Sequence, residues 1–132
     1  MKLKLGKSLL VSALLAVAAA ASAALPAVDV KQVSARQSSG ALLIDVREAD
    51  EYAQGHVPGS TLIPLGQLAQ RLQEIARYKD KPVVLICHSG RRSAQALKLL
   101  EGAGFSAAAN VEGGMIAWQK AGLPVISGAA SR

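Results

Sequence analysis

The chain contains 132 residues, and its 15 basic and nine acidic side chains give a net charge of +6 at neutral pH. This length suits one domain with one core, and the core must be mainly aliphatic because only 3% of the residues are aromatic. The basic residues are scattered among acidic ones, which excludes a nucleic-acid footprint and favours small anionic substrates.

The first residues predict a secretory signal peptide. Lys2, Lys4 and Lys7 precede an uncharged apolar run over residues 9–21, which is short for a membrane span of ~20 residues. The small residues Ala21-Ser22-Ala23 suit signal peptidase, so cleavage is expected directly after them, with no stable membrane anchor left. The alternative is that the apolar run stays uncut as an N-terminal anchor.

Removal of residues 1–23 leaves a predicted domain of 109 residues, 24–132. Without the three lysines of the signal, twelve basic residues face nine acidic ones, a net charge of +3. The protein is therefore expected to be periplasmic or secreted. It holds one cysteine, Cys87, so an internal disulfide is impossible and the thiol is either buried and inert or kept for its reactivity.

In the first half of the domain, residues 24–37 are compatible with a single N-terminal helix. Short apolar runs at residues 41–46 and 83–87 predict two buried strands. Between them, residues 66–77 are predicted to form an amphipathic helix because apolar side chains recur there at helical spacing. Those apolar side chains are Leu65, Leu68, Leu72 and Ile75.

In the second half, residues 93–101 predict a helix that ends at Gly102. A weaker strand over residues 107–111 and a short helix over residues 115–120 follow, and residues 125–132 have the composition of a polar tail. Strands that alternate with helices predict an α/β fold with a mostly parallel sheet covered by helices on both faces.

The strongest chemical signal is the position of Cys87, at the end of a buried strand and before a polar loop that enters a helix. Ligands of open α/β sheets bind beyond the carboxyl ends of the strands, where a helix N-terminus also directs its unpaired N–H groups. A thiolate is stabilised there and its pKa falls. Gly90 allows the loop amides to converge into an anion-binding nest. If Cys87 were only a buried core residue, the basic pair Arg91-Arg92 that follows it would remain unexplained.

Histidines offer weaker candidates for chemistry. His88 is adjacent to Cys87 in sequence, and catalytic pairs are usually assembled from distant positions, so a Cys-His pair is disfavoured. His56 lies in a turn-like segment and is expected to make a structural hydrogen bond. A zinc site built from these three residues lacks ligand spacing, so no metal and no cofactor is predicted.

Two further features have structural interpretations. A charged cluster after the first predicted strand is interpreted as the solvated start of a helix, where acidic residues are favoured. Trp118 is interpreted as a core anchor. The cluster consists of Asp45, Arg47, Glu48, Asp50 and Glu51.

Several short motifs follow one another along the chain and together resemble a single-domain rhodanese over about residues 29–124. The match in the first half is carried by Leu43-Ile44-Asp45-Val46-Arg47, Glu51-Tyr52, Gly55-His56-Val57-Pro58-Gly59-Ser60 and Ile63-Pro64. In the second half it is carried by Cys87-His88-Ser89-Gly90-Arg91-Arg92-Ser93, Gly104-Phe105, Glu112-Gly113-Gly114, Trp118 and Gly122-Leu123-Pro124.

The resemblance implies a five-stranded, largely parallel sheet and a reaction in which Cys87 accepts sulfane sulfur as a persulfide. Thiosulfate is the implied anionic donor, and cyanide or a thiol the acceptor. The segment Ser60-Thr61-Leu62 departs from the family pattern, which leaves substrate choice open. The implied substrate-binding residues are His88, Ser89, Gly90, Arg91, Arg92 and Ser93, with Arg92 as the arginine that faces inward.

Three alternatives use the same features. A phosphatase or arsenate reductase of the Cdc25 type resembles Cys-x5-Arg, whereas the arginines here follow Cys87 at x3 and x4. A non-catalytic rhodanese-like binding module often lacks the cysteine that this chain has. A thiol redox carrier needs a resolving cysteine, and the sequence contains none.

Overall fold

The computed structural model describes residues 25–131, so the predicted signal peptide lies outside the described residues. One sheet has the strand order β1-β5-β4-β2-β3, and every strand pairing in it is parallel. The predicted α/β fold with a five-stranded, mostly parallel sheet is therefore confirmed. The strands are β1 (Ala27–Val28), β2 (Leu42–Asp45), β3 (Thr61–Leu62), β4 (Val83–Ile86) and β5 (Ala108–Val111).

Helices connect the strands, as parallel pairing requires. The first helix begins after Asp29, whose side chain accepts a hydrogen bond of 2.9 Å from the backbone N–H of Lys31 and so caps the helix. The α-helices are α1 (Val30–Ser38), α2 (Ala49–Gln54), α3 (Leu65–Leu68), α4 (Arg91–Gly102) and α5 (Gly114–Lys120), and a 3₁₀ helix (Ala69–Tyr78) continues α3.

The two central strands send alternate side chains to opposite faces of the sheet. On β4, Val83 and Leu85 belong to a core cluster with α3, the 3₁₀ helix and α4. The neighbouring Val84 and Ile86 belong to a second cluster with α1 and α5, which contains Trp118 at 1% exposure. Burial on both faces explains why this strand reads as a continuous apolar run, and it confirms Trp118 as a core anchor.

The helix predicted over residues 66–77 is only partly correct. Its first turn is α-helical, but residues 69–78 form a 3₁₀ helix. The apolar side chains Leu72, Ile75 and Tyr78 are spaced by three residues and all pack on the same core cluster. A spacing of three matches the three residues per turn of a 3₁₀ helix, so these side chains share one face in the tighter winding.

Two terminal predictions need correction. Residues 24–37 do not form one helix, because β1 precedes α1 and pairs with β5. The predicted polar tail is attached to the domain. The backbones of His56 and Ile126 exchange hydrogen bonds of 2.8 and 3.0 Å, and the N–H of Gly128 donates to Ala53 at 2.8 Å. None of the helices within residues 25–131 is long and apolar enough to cross a membrane.

Candidate active site

The carboxyl ends of the central strands bring the candidate residues to one edge of the sheet. Asp45, the last residue of β2, is in register with Ile86, the last residue of β4. Near the end of β5, Asn110 is in register with Leu85. Cys87 directly follows β4, so it lies between the residues that follow the two neighbouring strands, where ligands of open α/β sheets bind.

The loop after β4 curls around the sulfur of Cys87. The backbone N–H of Gly90 donates to Sγ at 3.0 Å, and the hydroxyl of Ser93 donates to it at 3.2 Å. Gly90 has a φ of +100°, a conformation that side chains disfavour, and this allows its N–H to turn back toward the thiol. Two donors therefore point at the sulfur of a residue that is 1% exposed.

These donors control the ionisation of Cys87. Burial raises the pKa of the thiol, but the Ser93 hydroxyl and the backbone amides of Ser93, Gly90 and Ser89 lower it, and the net effect is a pKa below the ordinary 9.0. The opposing effects have a simple cause, because an apolar surrounding disfavours the thiolate whereas converging N–H and O–H groups stabilise it. The surroundings of Sγ therefore favour the thiolate relative to an ordinary cysteine.

The N-terminus of α5 donates hydrogen bonds to the start of this loop. The N–H groups of Met115 and Ile116 donate to the carbonyls of Cys87 and His88 at 2.8 and 3.0 Å. Gly114 makes this approach possible, because a Cβ at this residue would stand 2.5 Å from the carbonyl oxygen of Cys87. The family motif around Gly114 thus has a local steric reason.

Asn110 fixes the other end of the loop, a role that the sequence did not indicate. Its amide Nδ2 donates to the carbonyl of Gly90 at 3.1 Å, and the same carbonyl accepts the first hydrogen bond of α4 from Ala94. The Oδ1 of Asn110 is buried and has no hydrogen-bond partner among the described residues. Asn110 therefore ties β5 to Gly90, the N-cap residue of α4.

Arg92 is bound by an acidic side chain from α2. Its two terminal nitrogens donate to the carboxylate oxygens of Glu51 at 2.6 and 2.8 Å, and both side chains are 33% exposed. The hydrogen bond to Arg92 is the main reason that the pKa of Glu51 falls from 4.5 to about 2. The pair is thus fully ionised at neutral pH.

The remaining predicted substrate-binding side chains lie at the surface. His88, Ser89 and Arg91 are exposed, and none of them donates a side-chain hydrogen bond to Sγ within the described part of the chain. His88 thus forms no Cys-His pair in this state. Within residues 25–131 no group of three or more His, Cys, Asp or Glu side chains is arranged to hold a metal ion.

The charged cluster after β2 is only partly solvated, which corrects its interpretation. Glu48 and Asp50 are exposed, but Asp45 and Arg47 are 0% and 5% exposed and form an ion pair with an Nη2–Oδ2 distance of 2.8 Å. Arg47 also donates to the carbonyl of Gly55 at 2.8 Å, so its charge is paired and hydrogen-bonded as a buried guanidinium requires.

His56 has the structural role that was expected. Its Nδ1 lies 2.8 Å from the carbonyl oxygen of Tyr52, and its ring stacks on the Tyr52 ring with centroids 3.6 Å apart. The Tyr52 hydroxyl in turn donates to the carbonyl of Ser60 at 2.9 Å. These contacts hold the segment that departs from the family pattern against α2.

The surface has two depressions. One, of about 270 Å³, is lined by residues that include Arg47, Glu51 and Gln119, and the other, of about 330 Å³, by residues that include Tyr52 and Arg71. Neither is lined by Cys87. The candidate site therefore rests on the hydrogen-bond donors around the sulfur and not on a large cavity, and a nest for a small anion needs little volume.

Replacing Ser93 with alanine is expected to raise the pKa of Cys87, since a hydroxyl that stabilises the thiolate is removed. The thiolate fraction at neutral pH then falls, and alkylation of Cys87 slows about threefold to tenfold at pH 7, partly offset by the higher nucleophilicity of a more basic thiolate. As the pH is lowered, the alkylation rate of the variant should also begin to fall at a higher pH than that of the wild type. The measurement is the iodoacetamide rate against pH, with Ser38→Ala on α1 as the matched control.

Known proteins with this fold define the family. A model of the rhodanese-like domain matches residues 29–121. The sulfurtransferase of Allochromatium vinosum is 37% identical over 102 residues, which cover 76% of this chain and 94% of that protein. The structure of a human single-domain sulfurtransferase matches with a TM-score of 0.65 and 30% identity, over 74% of this chain and 97% of that one.

A longer protein shares the same domain. The structure of a thiosulfate sulfurtransferase from Pseudomonas aeruginosa matches with a TM-score of 0.74 and 28% identity, over 82% of this chain and 21% of that one. The parallel sheet, the family model and the single-domain relatives agree. This chain belongs to the rhodanese-like sulfurtransferase family.

Proposed function

We propose that the protein transfers sulfane sulfur from thiosulfate, or a similar donor, to cyanide or a thiol through a persulfide on Cys87. The observation that carries this proposal is the geometry of the Cys87 sulfur, which receives hydrogen bonds from the Gly90 amide and the Ser93 hydroxyl. Its lowered pKa increases the fraction of thiolate available for attack, and the same donors suit a persulfide anion.

Both half-reactions balance without an added oxidant or reductant. The Cys87 thiolate attacks the outer sulfur of thiosulfate, a sulfur–sulfur bond to the protein forms, and the bond to the sulfonate sulfur breaks with its electron pair leaving as sulfite. The resulting persulfide anion then gives its terminal sulfur to cyanide, which leaves as thiocyanate and regenerates the thiolate. A thiol acceptor takes the sulfur in the same way and becomes a persulfide.

The loop supports sulfur transfer over phosphate chemistry. Ser93 stands at the x5 position, where a Cdc25-type loop has arginine, and its hydroxyl donates a hydrogen bond to the sulfur of Cys87. Arg92 is held by Glu51. Because Cys87 is 1% exposed, access to it also favours a slender sulfane donor over a bulky phosphate ester.

The intact mass of the protein after incubation with thiosulfate tests the proposal. We expect the mass to rise by one sulfur atom and to return to its starting value after cyanide is added, with thiocyanate released. A protein that gains no sulfur from thiosulfate or from a hydropersulfide would support the non-catalytic binding module instead.

We further propose that the protein is exported and that its mature chain begins at Ala24, which rests on the lysines and the apolar run of residues 1–23. The expected result is a periplasmic or secreted protein whose first residue, read by N-terminal sequencing of protein from the producing cell, is Ala24. Cytoplasmic protein that retains residues 1–23 would contradict this.

A further inference from the structure

We infer that Glu51 is a specificity-determining residue, which offsets the charge of Arg92 beside the Cys87 loop and so restrains the preference for doubly charged donors. The carboxylate of Glu51 binds both terminal nitrogens of Arg92 at 2.6 and 2.8 Å. A guanidinium that is paired in this way presents less positive potential to an arriving anion than one that is unpaired.

The position of Arg92 makes this pairing matter for the thiol. Arg92 is the second residue of α4, directly after the loop that surrounds Sγ, and its neighbour Ser93 donates to the sulfur. The Glu51 hydrogen bond raises the pKa of Arg92 most, and the charge of Cys87 raises it as well. Arg92 thus carries its charge in the first turn of α4, between Gly90 and Ser93, the two residues that donate hydrogen bonds to Sγ.

Glu51 is itself held in place by its own helix. The backbone N–H of Glu48 donates to Oε1 of Glu51 at 3.2 Å, which forms a capping box at the start of α2. The carboxylate is thus positioned by α2 and bridges this helix to α4. Its pKa of about 2 keeps the charge present throughout the physiological pH range, so the restraint is permanent and not switched by pH.

The variant Glu51→Gln separates charge from position. Glutamine keeps one oxygen that can accept the N–H of Glu48 and a hydrogen bond from Arg92, so the capping box and the helix contact persist while the negative charge is lost. The matched control is Glu74→Gln, which removes the acidic partner of Arg71, a surface pair with an N–O distance of 2.7 Å, and changes the net charge equally.

The first readout does not require any sulfur transfer. Iodoacetate and iodoacetamide alkylate the same thiolate, but only iodoacetate is an anion. The rate with iodoacetate divided by the rate with iodoacetamide therefore reports the electrostatic potential at Cys87. Glu51→Gln is expected to raise this ratio about threefold to tenfold at low ionic strength, and added salt should shrink the effect. Arg92→Ala is expected to lower the ratio, and Glu74→Gln to leave it unchanged.

The second readout rests on the proposed function. Thiosulfate is a dianion and benzenethiosulfonate a monoanion, and each donates its outer sulfur with loss of an oxidised-sulfur leaving group. Glu51→Gln should raise kcat/KM for thiosulfate relative to benzenethiosulfonate by about threefold, mainly through KM, whereas Arg92→Ala should shift the same ratio in the opposite direction.

The two readouts distinguish the possible failures. Opposite shifts of the alkylation ratio in the Glu51 and Arg92 variants support the inference even if thiosulfate gives no persulfide. An unchanged ratio in Glu51→Gln, or equal losses with charged and neutral reagents in both variants, would overturn it and leave Glu51 as a tether that orders the loop. Urea unfolding midpoints check that both variants are folded.

Discussion

Sulfur transfer by the Cys87→Ser variant is expected to fall by about a thousandfold or more, because a serine hydroxyl is not ionised at neutral pH and cannot replace the thiolate as nucleophile. The fold should persist. The side chain is buried and forms no disulfide, and a serine oxygen can still accept hydrogen bonds from the Gly90 amide and the Ser93 hydroxyl. The expected change in the free energy of unfolding is about 1 kcal/mol.

Three measurements on the Cys87→Ser protein separate chemistry from folding. Thiocyanate formation should be lost, and intact mass should show no sulfur uptake from thiosulfate. Circular dichroism should match the wild type, and the free energy of unfolding from urea titration should differ from it by about 1 kcal/mol. Turnover retained by this folded variant would mean that sulfur travels by another route. Loss of both turnover and structure would point instead to a packing role for the thiol in the core.

The sheet could be predicted because its strands are buried on both faces. Apolar runs at residues 41–46, interrupted by Asp45, and at residues 83–87 locate β2 and β4, and the alternation of strands with helices gives the parallel arrangement. The short edge strands β1 and β3 contain two residues each, which is too few to show a period. They exist because β5 and β2 offer pairing partners, and this information is not local.

The 3₁₀ helix could not be distinguished from an α-helix by the apolar pattern alone. Leu65 and Leu68 begin with a spacing of three, Leu72 follows at four, and Ile75 follows again at three, so both helix types fit the segment. The tertiary contacts of Leu72 and Ile75 with the core cluster decide between them. Tertiary packing, and not the apolar pattern, therefore determines the winding of this segment.

In the candidate site, the Cys87 loop could be identified from the sequence, but the residues that bind it from other elements could not. Cys87 and Gly90 could be interpreted from one stretch of chain, because strand, loop and helix follow one another there. The partner of Arg92 is Glu51, 41 residues earlier, and Asn110 reaches Gly90 from 20 residues away. Only the parallel register brings these elements to one edge, so the charge pairing across the site depends on the tertiary fold and not on local sequence.

The Gly114→Ala substitution is expected to destabilise the fold by about 3 kcal/mol or more and to impair the Cys87 loop as well. A Cβ at this residue would stand 2.5 Å from the carbonyl oxygen of Cys87 and 2.6 Å from that of His88. The backbone there also has a φ of +55°, which L side chains disfavour. To relieve the clash, α5 must move away from the two carbonyls that it binds.

Two control variants divide this effect into its causes. Gly122→Ala introduces a side chain at a φ of +68° with no atom within 4 Å of the new Cβ, so it carries the backbone strain alone, about 1 to 2 kcal/mol. Gly66→Ala in α3 meets no atom and has no positive φ, so it should be neutral or slightly stabilising. Urea unfolding at constant m-value should rank the losses as Gly114 above Gly122 above Gly66. If the Gly114 variant loses no more stability than the Gly122 variant, the contact between α5 and the Cys87 loop is not tight, and the loop carbonyls have room to move without affecting the thiol.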